Sequence, residues 1–147
     1  MKRALLLLVL LSTNSLMPVK ASGPVLAGEL RPMKIIMTID QQSYEIALAV
    51  NPTAKAFSQQ LPLTMRMEEL NGNEKFAELP AALATNPHKP GTIQPGDVML
   101  YGNKTLVLFY ETLHTSYSYT PVGKVLSRGN LKKSVGEGGI DVRFTRP

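Results

Sequence analysis

The sequence contains no cysteine and only two histidines, His88 and His114. Without cysteine, the chain can form no disulfide bond and offers no thiol for a lipid anchor. The two histidines form no spaced ligand motif, so we expect no metal site and no bound cofactor, and we expect both side chains at the surface. No serine stands in a glycine-framed nucleophile motif, which argues against a hydrolase triad of that type.

Long apolar runs are also missing. The longest, residues 4–11, is far shorter than the roughly 20-residue helix that spans a bilayer. It follows two basic residues and precedes Val19-Lys20-Ala21, which places small or β-branched residues at the two positions that a signal peptidase reads. The sequence therefore predicts a signal peptide over residues 1–21, export to the periplasm or the extracellular space, and no stable membrane insertion after cleavage.

A strong positive charge is absent once this segment is set aside. The whole chain has 16 basic and 11 acidic residues, a formal net charge of +5. Removing Lys2, Arg3 and Lys20 leaves 13 basic residues, so the net charge of the remainder falls to +2. Proteins that bind nucleic acids concentrate positive charge on one face, so we expect no nucleic-acid partner.

The remaining chain divides into a short tether and one domain. Residues 22–32 carry glycine and proline breaks with little pattern, which predicts a flexible tether. Residues 33–147 are enough for a single domain that buries a core without disulfides or metals.

The densest apolar and aromatic content lies in residues 94–125. Gly102-Asn103 can adopt the positive φ angles of a tight turn, so Asp97–Tyr101 and residues 105–111 are predicted to pair as an antiparallel hairpin. The second arm is apolar on both of its faces. This pattern predicts a strand that is covered from both sides.

Period-two patterns predict further strands. Residues 33–39 and 44–50 alternate about a polar turn and are expected to form a first hairpin. Asn51-Pro52 is typical of a helix start, since Asn accepts hydrogen bonds from first-turn amides and proline is tolerated at the first helical position. The helix should end before Pro62, and residues 63–68 then alternate as a third strand with a charged outer face.

The least regular region is residues 71–90, which we interpret as a long excursion over a barrel wall or mouth, with a possible short helix at residues 76–83. Near the C-terminus, residues 130–135 are predicted to form a short helix closed by Gly136, and residues 140–145 a last strand. The positions expected in the core are Ile35, Ile39, Ile46, Leu48, Val98, Leu106, Leu108 and Val142.

This order of elements resembles that of cyclophilins. Residues 38–57 look like a cyclophilin's first hairpin running into its proline-started helix, and Gly123-Lys124-Val125 matches the family's Gly-Lys-Val strand. Residues 73–75, 95–101 and 116–120 are similar to motifs of the bacterial cyclophilin-like proteins that lie outside the true isomerases. The resemblance implies a mainly β fold, a closed eight-stranded barrel with two short helices.

True cyclophilins isomerise X-Pro bonds in an apolar pocket, beside an arginine on a neighbouring strand. The resemblance assigns that arginine to Arg66, although Arg66 near Glu68 and Glu69 is more simply a solvated ion pair. Tryptophan is absent, residues 67–70 replace the Phe-Met-x-Gln run, and residues 119–122 replace the family histidine. These departures favour a module that binds a peptide or a small molecule without efficient catalysis. The alternative is a divergent prolyl isomerase that uses Arg66.

Several tyrosines and one charged pair are the candidate ligand contacts. Tyr117 and Tyr119 share one face at period two, so they can form a common wall of a pocket, while burial in the core is an equal alternative for the tyrosines. Glu74 and Lys75 are interpreted either as lid contacts or as solvated loop charge. The candidate ligand-binding residues are Tyr101, Tyr110, Tyr117, Tyr119, Glu74 and Lys75.

Overall fold

A computed structural model describes residues 31–147. The predicted signal peptide and most of the predicted tether, residues 22–32, lie outside the described residues. No helix among residues 31–147 has the length and apolar character needed to cross a membrane. The described elements are, in order, β1 (Lys34–Ile39), β2 (Gln42–Leu48), α1 (Pro52–Gln59), β3 (Leu63–Leu70), β4 (Glu74–Glu78), β5 (Thr92–Ile93), β6 (Asp97–Tyr101), β7 (Thr105–Phe109), β8 (Leu113–His114), β9 (Thr120–Val125), α2 (Leu131–Val135) and β10 (Ile140–Thr145).

Eight of the strands close into an antiparallel barrel in the order β1-β10-β3-β4-β7-β6-β9-β2. The two remaining strands, β5 and β8, pair with each other in a separate small sheet. The mainly β barrel with two short helices, which the resemblance implied, is therefore confirmed. Closure removes the exposed sheet edges that would otherwise be open to pairing with another chain.

The first hairpin and α1 form where local patterns predict them. β1 and β2 pair with Ile35 opposite Ile46, so the apolar side of each strand faces the barrel interior. The Asn51 side chain then accepts a hydrogen bond of 2.7 Å from the Ala54 N–H, and Pro52 occupies the first turn of α1. On the buried side of α1, Phe57 packs edge-on against Phe144 of β10 at 5.4 Å between ring centroids.

The prediction of a long excursion over residues 71–90 is wrong for Glu74–Glu78, which is the barrel strand β4, and no helix forms at residues 76–83. Residues 79–90 do run along the barrel wall without forming a strand or a helix. Asn71 and Gly72 adopt positive φ and form a tight turn, after which β4 pairs with β3 on one side and β7 on the other. Lys75 and Ala77 occupy the inner positions of β4. A charged residue and a small residue on the inner face hide the apolar alternation by which a strand is recognised in sequence.

The chain after β4 is attached to the barrel wall along its length. The Leu83 N–H donates to the Asn103 carbonyl (2.8 Å), and His88 and Tyr119 exchange two backbone hydrogen bonds of 3.0 Å. Hydrogen bonds therefore fix this segment against the barrel wall. The pairing with His88 also fixes the backbone of Tyr119, which directly precedes β9.

Two apolar cores lie on either side of β7. The inner core fills the barrel and contains all eight positions that the sequence predicted. The outer core lies beneath the β5–β8 sheet and consists of Ile93, Met99, Val107, Phe109 and Tyr119. β7 contributes alternately to both, which confirms the prediction of a strand covered from two sides.

β9 approaches β2 so closely at position 123 that only glycine fits there. An added Cβ at Gly123 would lie 2.7 Å from the Ala47 carbonyl oxygen and 2.8 Å from Ile46 Cγ2, both on the neighbouring strand β2. Because backbone is one of the obstacles, the contact can be relieved only by moving the strand.

We expect Gly123→Ala to lower the free energy of unfolding by about 1 to 3 kcal/mol, the usual cost of overpacking a core. Gly129→Ala is the matched control, since a Cβ there meets nothing within 4 Å, and it should change stability by less than about 0.5 kcal/mol. Urea unfolding of the purified variants measures both. Equal stabilities would contradict the role assigned to Gly123.

Candidate ligand-binding groove

The outward side chains of four neighbouring strands form a groove on the barrel wall. The pairings Leu70↔Glu74, Phe76↔Val107 and Tyr101↔Thr105 place these side chains side by side across β3, β4, β7 and β6. The segment before β9 forms the remaining wall. The outer-wall groove has a volume of about 370 Å³ and is lined by Leu70, Glu74, Phe76, Tyr101, Thr105, Val107, Tyr117 and Tyr119.

Three of the predicted tyrosines meet in this groove. The Tyr101 ring lies 6.1 Å from that of Tyr117 and 5.6 Å from that of Tyr119, in inclined arrangements that aromatic pairs favour. Tyr119 is buried and packs edge-on against Phe109 at 5.6 Å. Tyr101 and Tyr117 are 48% and 62% exposed, so one ring forms the base of a wall whose other two rings are accessible.

Backbone contacts hold this tyrosine wall in place. The paired hydrogen bonds between His88 and Tyr119 hold the buried ring, and the Thr115 hydroxyl accepts from the Tyr117 N–H at 3.1 Å. The predicted common wall of Tyr117 and Tyr119 is thus present, with Tyr101 of β6 added to it.

Glu74 brings a negative charge to the groove. It is 8% exposed, its carboxylate keeps a little contact with solvent, and no hydrogen bond or ion pair to that carboxylate occurs among residues 31–147. Burial, and then the charge of Glu69, raise the pKa of Glu74. Burial, and then the charge of Glu74, likewise raise the pKa of Tyr119. None of the eight lining residues is basic, so the groove has negative character.

Lys75 and Tyr110 lie on the other side of the wall, at the barrel interior. Lys75 is 0% exposed, and its Nζ donates to the carbonyls of Gly136 (2.9 Å) and Gly138 (2.5 Å) in the turn between α2 and β10. It also lies 3.2 Å from Glu69 Oε1 and 5.3 Å from the centre of the Tyr110 ring. The interpretation of Glu74 and Lys75 as loop charge is therefore wrong, because both residues are buried on β4.

Tyr110 completes this interior cluster by donating a hydrogen bond to Glu69. Burial raises the pKa of Glu69, but the hydrogen bonds from Tyr110 and Lys75 outweigh it, and the net pKa is lowered. For Tyr110, burial and then the Glu69 hydrogen bond raise the pKa. The candidate residues thus separate into the outer-wall groove and a buried cluster that is a structural part of the barrel.

Arg66 does not line the groove. It extends from the outer face of β3 towards β10, where its Nη1 lies 3.4 Å from Asp141 Oδ1, and both side chains are mostly exposed. An ion pair so open to solvent is of the weak kind. The preference for a solvated ion pair over a clamp agrees with this placement, but the partner is Asp141, not Glu68 or Glu69.

Both histidines are exposed, as predicted. His88 acts through its backbone, as described above, and His114 Nδ1 lies 3.1 Å from the Thr92 hydroxyl in the small sheet. Neither side chain belongs to the groove.

A larger depression of about 550 Å³ lies beside the start of α1, between Met33, Val50 and Lys55. It holds none of the predicted site residues and adjoins the point where the described chain begins. The outer-wall groove is the better candidate, because binding sites combine apolar walls with a few convergent polar groups.

Sequence reasoning missed four lining residues, Leu70, Phe76, Thr105 and Val107. Recognising β4 as a strand would have placed Phe76 beside Val107 on the outer face. The missing signal was therefore the strand assignment of residues 74–78, which the inner lysine concealed.

Replacing the buried Glu74 should raise stability. Because the pKa of Glu74 is raised on folding, the native state binds the proton more tightly, and stability declines as pH rises through that pKa. Glu74→Gln lacks this decline, so we expect it to be more stable than the wild type at pH 7 by about 1 kcal/mol, the lower end of the cost of an unpaired buried polar group. The difference should shrink below pH 4.

Urea unfolding from pH 3 to 8 checks this, with Glu78→Gln as the control, since Glu78 is exposed on the same face of β4. The control should follow the wild type. A Glu74→Gln variant that is less stable than the wild type at pH 7 would refute the assigned cost.

A family model described as the cyclophilin-like family matches residues 37–145. The fold is similar to the solution structure of a hypothetical protein from Archaeoglobus fulgidus, with a TM-score of 0.63 and 17% identity over 82% of this chain and 99% of that one. At this identity the likeness concerns the fold alone. No curated protein matches the chain. Because the family match covers well over half of its length, the protein belongs to the cyclophilin-like family.

Proposed function

We propose that the protein is a binding module whose outer-wall groove holds an extended peptide or a small molecule without efficient catalysis. The observation that carries this proposal is the contact of Tyr101 with both Tyr117 and Tyr119 along one wall of a groove that is also lined by apolar side chains. Accessible tyrosine rings offer large contact area and a hydroxyl at low cost in side-chain entropy, which suits ligand binding.

The charges of the groove argue against efficient prolyl isomerisation. Rotation about a peptide bond has a barrier of about 20 kcal/mol, so an isomerase must bind the twisted bond more tightly than the planar one. In the true cyclophilins, which the sequence resembles, an arginine does part of this work. Here no basic side chain lines the groove, and Arg66 pairs with Asp141 on the side of β3 that faces β10.

A divergent isomerase that uses Arg66 is the second candidate. Its support is that Arg66 lies on the outer face of β3, the same face of the same strand that contributes Leu70 to the groove. The weak, exposed ion pair with Asp141 would have to break for Arg66 to reach a ligand.

An isomerisation assay on a short X-Pro peptide separates the two candidates. We expect no rate above the uncatalysed background, and no change in either Arg66→Ala or the control Arg143→Ala, which removes a second exposed arginine from β10. An active wild type that loses about a hundredfold in Arg66→Ala alone would show that the isomerase hypothesis is correct.

A chemical-shift map with the same peptide and with other short peptides tests the groove itself. We expect the largest shifts at Tyr101, Tyr117, Tyr119 and their neighbours on β4. Shifts spread evenly over the barrel would count against a binding site at this place.

We also propose that the module acts after export. The support is the pattern of residues 1–21 alone, with its basic start, its short apolar run and its Val19-Lys20-Ala21 end. Intact-mass analysis of protein from the cell envelope or medium of an expressing bacterium should give an N-terminus near Ser22. Recovery of only the full-length chain from the cytosol would contradict export.

A further inference from the structure

The carboxylate of Glu74 faces the outer-wall groove with no partner in the part of the chain that the structure describes. The residue is 8% exposed, so its carboxylate is largely desolvated and meets solvent only at the groove surface, which is costly for an ionised group without a partner. The negative charge of Glu69 makes the position less favourable still. Lys75 on the same strand cannot compensate, because its ammonium group is held on the inner face by Gly136, Gly138 and Glu69. A positive ligand would supply what the protein itself does not.

The rings around Glu74 are suited to the same kind of ligand. The Tyr101 ring packs against both Tyr117 and Tyr119, and Phe76 lines the same groove. Aromatic faces attract cations, and clusters of such rings recognise alkylated ammonium groups. The burial of Tyr119 and its proximity to Glu74 bring the ring and the carboxylate to one place.

The apolar residues define the rest of the ligand. Leu70 and Val107 line the groove with hydrocarbon surface, which an alkyl stem can cover. A carboxylate or phosphate ligand would meet the Glu74 charge with no basic residue of the lining to offset it.

From these features we propose that the outer-wall groove binds an organic ammonium group carried on an alkyl stem. This inference rests on the proposed function and specifies the chemistry of its ligand. A lysine side chain of an extended peptide and a free alkylamine share this chemistry.

NMR titrations with four small probes test the charge requirement. N-acetyl-lysine-methylamide and N-acetyl-norleucine-methylamide share a backbone and an apolar stem and differ in the ammonium group, while n-butylammonium and butyrate are free ions of opposite charge. We expect the lysine compound to bind at least about tenfold more tightly than the norleucine compound, with shifts at Tyr101, Tyr117 and Tyr119. We expect n-butylammonium to bind and butyrate not to bind.

The ratio of the affinities for the lysine compound and for n-butylammonium distinguishes a peptide lysine from a free alkylamine as the ligand. Tighter binding of the lysine compound, together with shifts from its amide groups, indicates a peptide ligand. Equal binding indicates that the free amine suffices. Both results support an ammonium ligand.

Variants at Glu74 and Tyr101 test whether these side chains bind the ammonium group. Glu74→Gln should weaken binding of the lysine compound by about tenfold or more, and because this variant is expected to be at least as stable as the wild type, unfolding cannot explain the loss. Glu78→Gln should bind as the wild type does. Tyr101→Leu should weaken binding about threefold to tenfold, whereas Tyr101→Phe, which keeps the aromatic face, should not.

Equal binding of the norleucine compound, tighter binding of butyrate, or no binding of any probe would each overturn the ammonium ligand. These outcomes differ from a failure of the proposed function. If neutral or anionic probes shift Tyr101, Tyr117 and Tyr119, the groove remains a binding site for another class of ligand. If the peptide map also leaves these residues unchanged, the binding module itself is refuted.

Discussion

The contacts of the fully buried Lys75 ammonium group are the constraint around which the barrel is arranged. A charge with no contact to water is tolerated only when several partners replace its hydration, and here they come from separate parts of the chain. β3 provides Glu69, the residue after β7 provides the Tyr110 ring, and the turn between α2 and β10 provides two carbonyls. Gly136 and Gly138 adopt positive φ in that turn, which shapes it around the ammonium group. The cluster therefore joins the fourth strand to the last turn of the domain.

The same cluster determines which residues form the outer-wall groove. Side chains of a strand alternate between faces, so placing Lys75 inside the barrel requires Glu74 and Phe76 to point outwards. A shift of β4 by one residue would bury Glu74 in the barrel and expose the ammonium group. The side chains of β7 alternate in the same way. Val107 and Phe109 face outwards beside β4, while Leu106 and Leu108 fill the interior. A structural ion cluster and a candidate ligand site are thus opposite faces of one strand pair.

Membership of the cyclophilin-like family describes the scaffold more than the chemistry, since one fold can carry unrelated sites. The barrel order and the Gly123 close approach belong to the scaffold. The arginine on β3 is present, but its neighbour is Asp141 of β10, and the concave surface has formed around tyrosines and a carboxylate instead. The negative charge and the aromatic walls of this groove are the features on which the proposal of a cationic ligand rests.

The sequence by itself determined the elements whose signals are local. The alternation of Ile35, Ile39 and Ile46 and the Asn51-Pro52 helix start act through neighbouring residues, and each formed as predicted. The hairpin about Gly102 also formed, but its turn spans residues 102–104, and Asn103 does not adopt the predicted positive φ. Only the tertiary structure decided that residues 74–78 are a barrel strand, because the two carbonyls that accept from the inner lysine lie 61 and 63 positions further along the chain. It also decided that Tyr110 lies inside while Tyr101, Tyr117 and Tyr119 gather outside. Tyr101 lies on β6 and Tyr119 is held by its backbone bridge to His88, so both placements depend on pairings between residues that are distant in sequence.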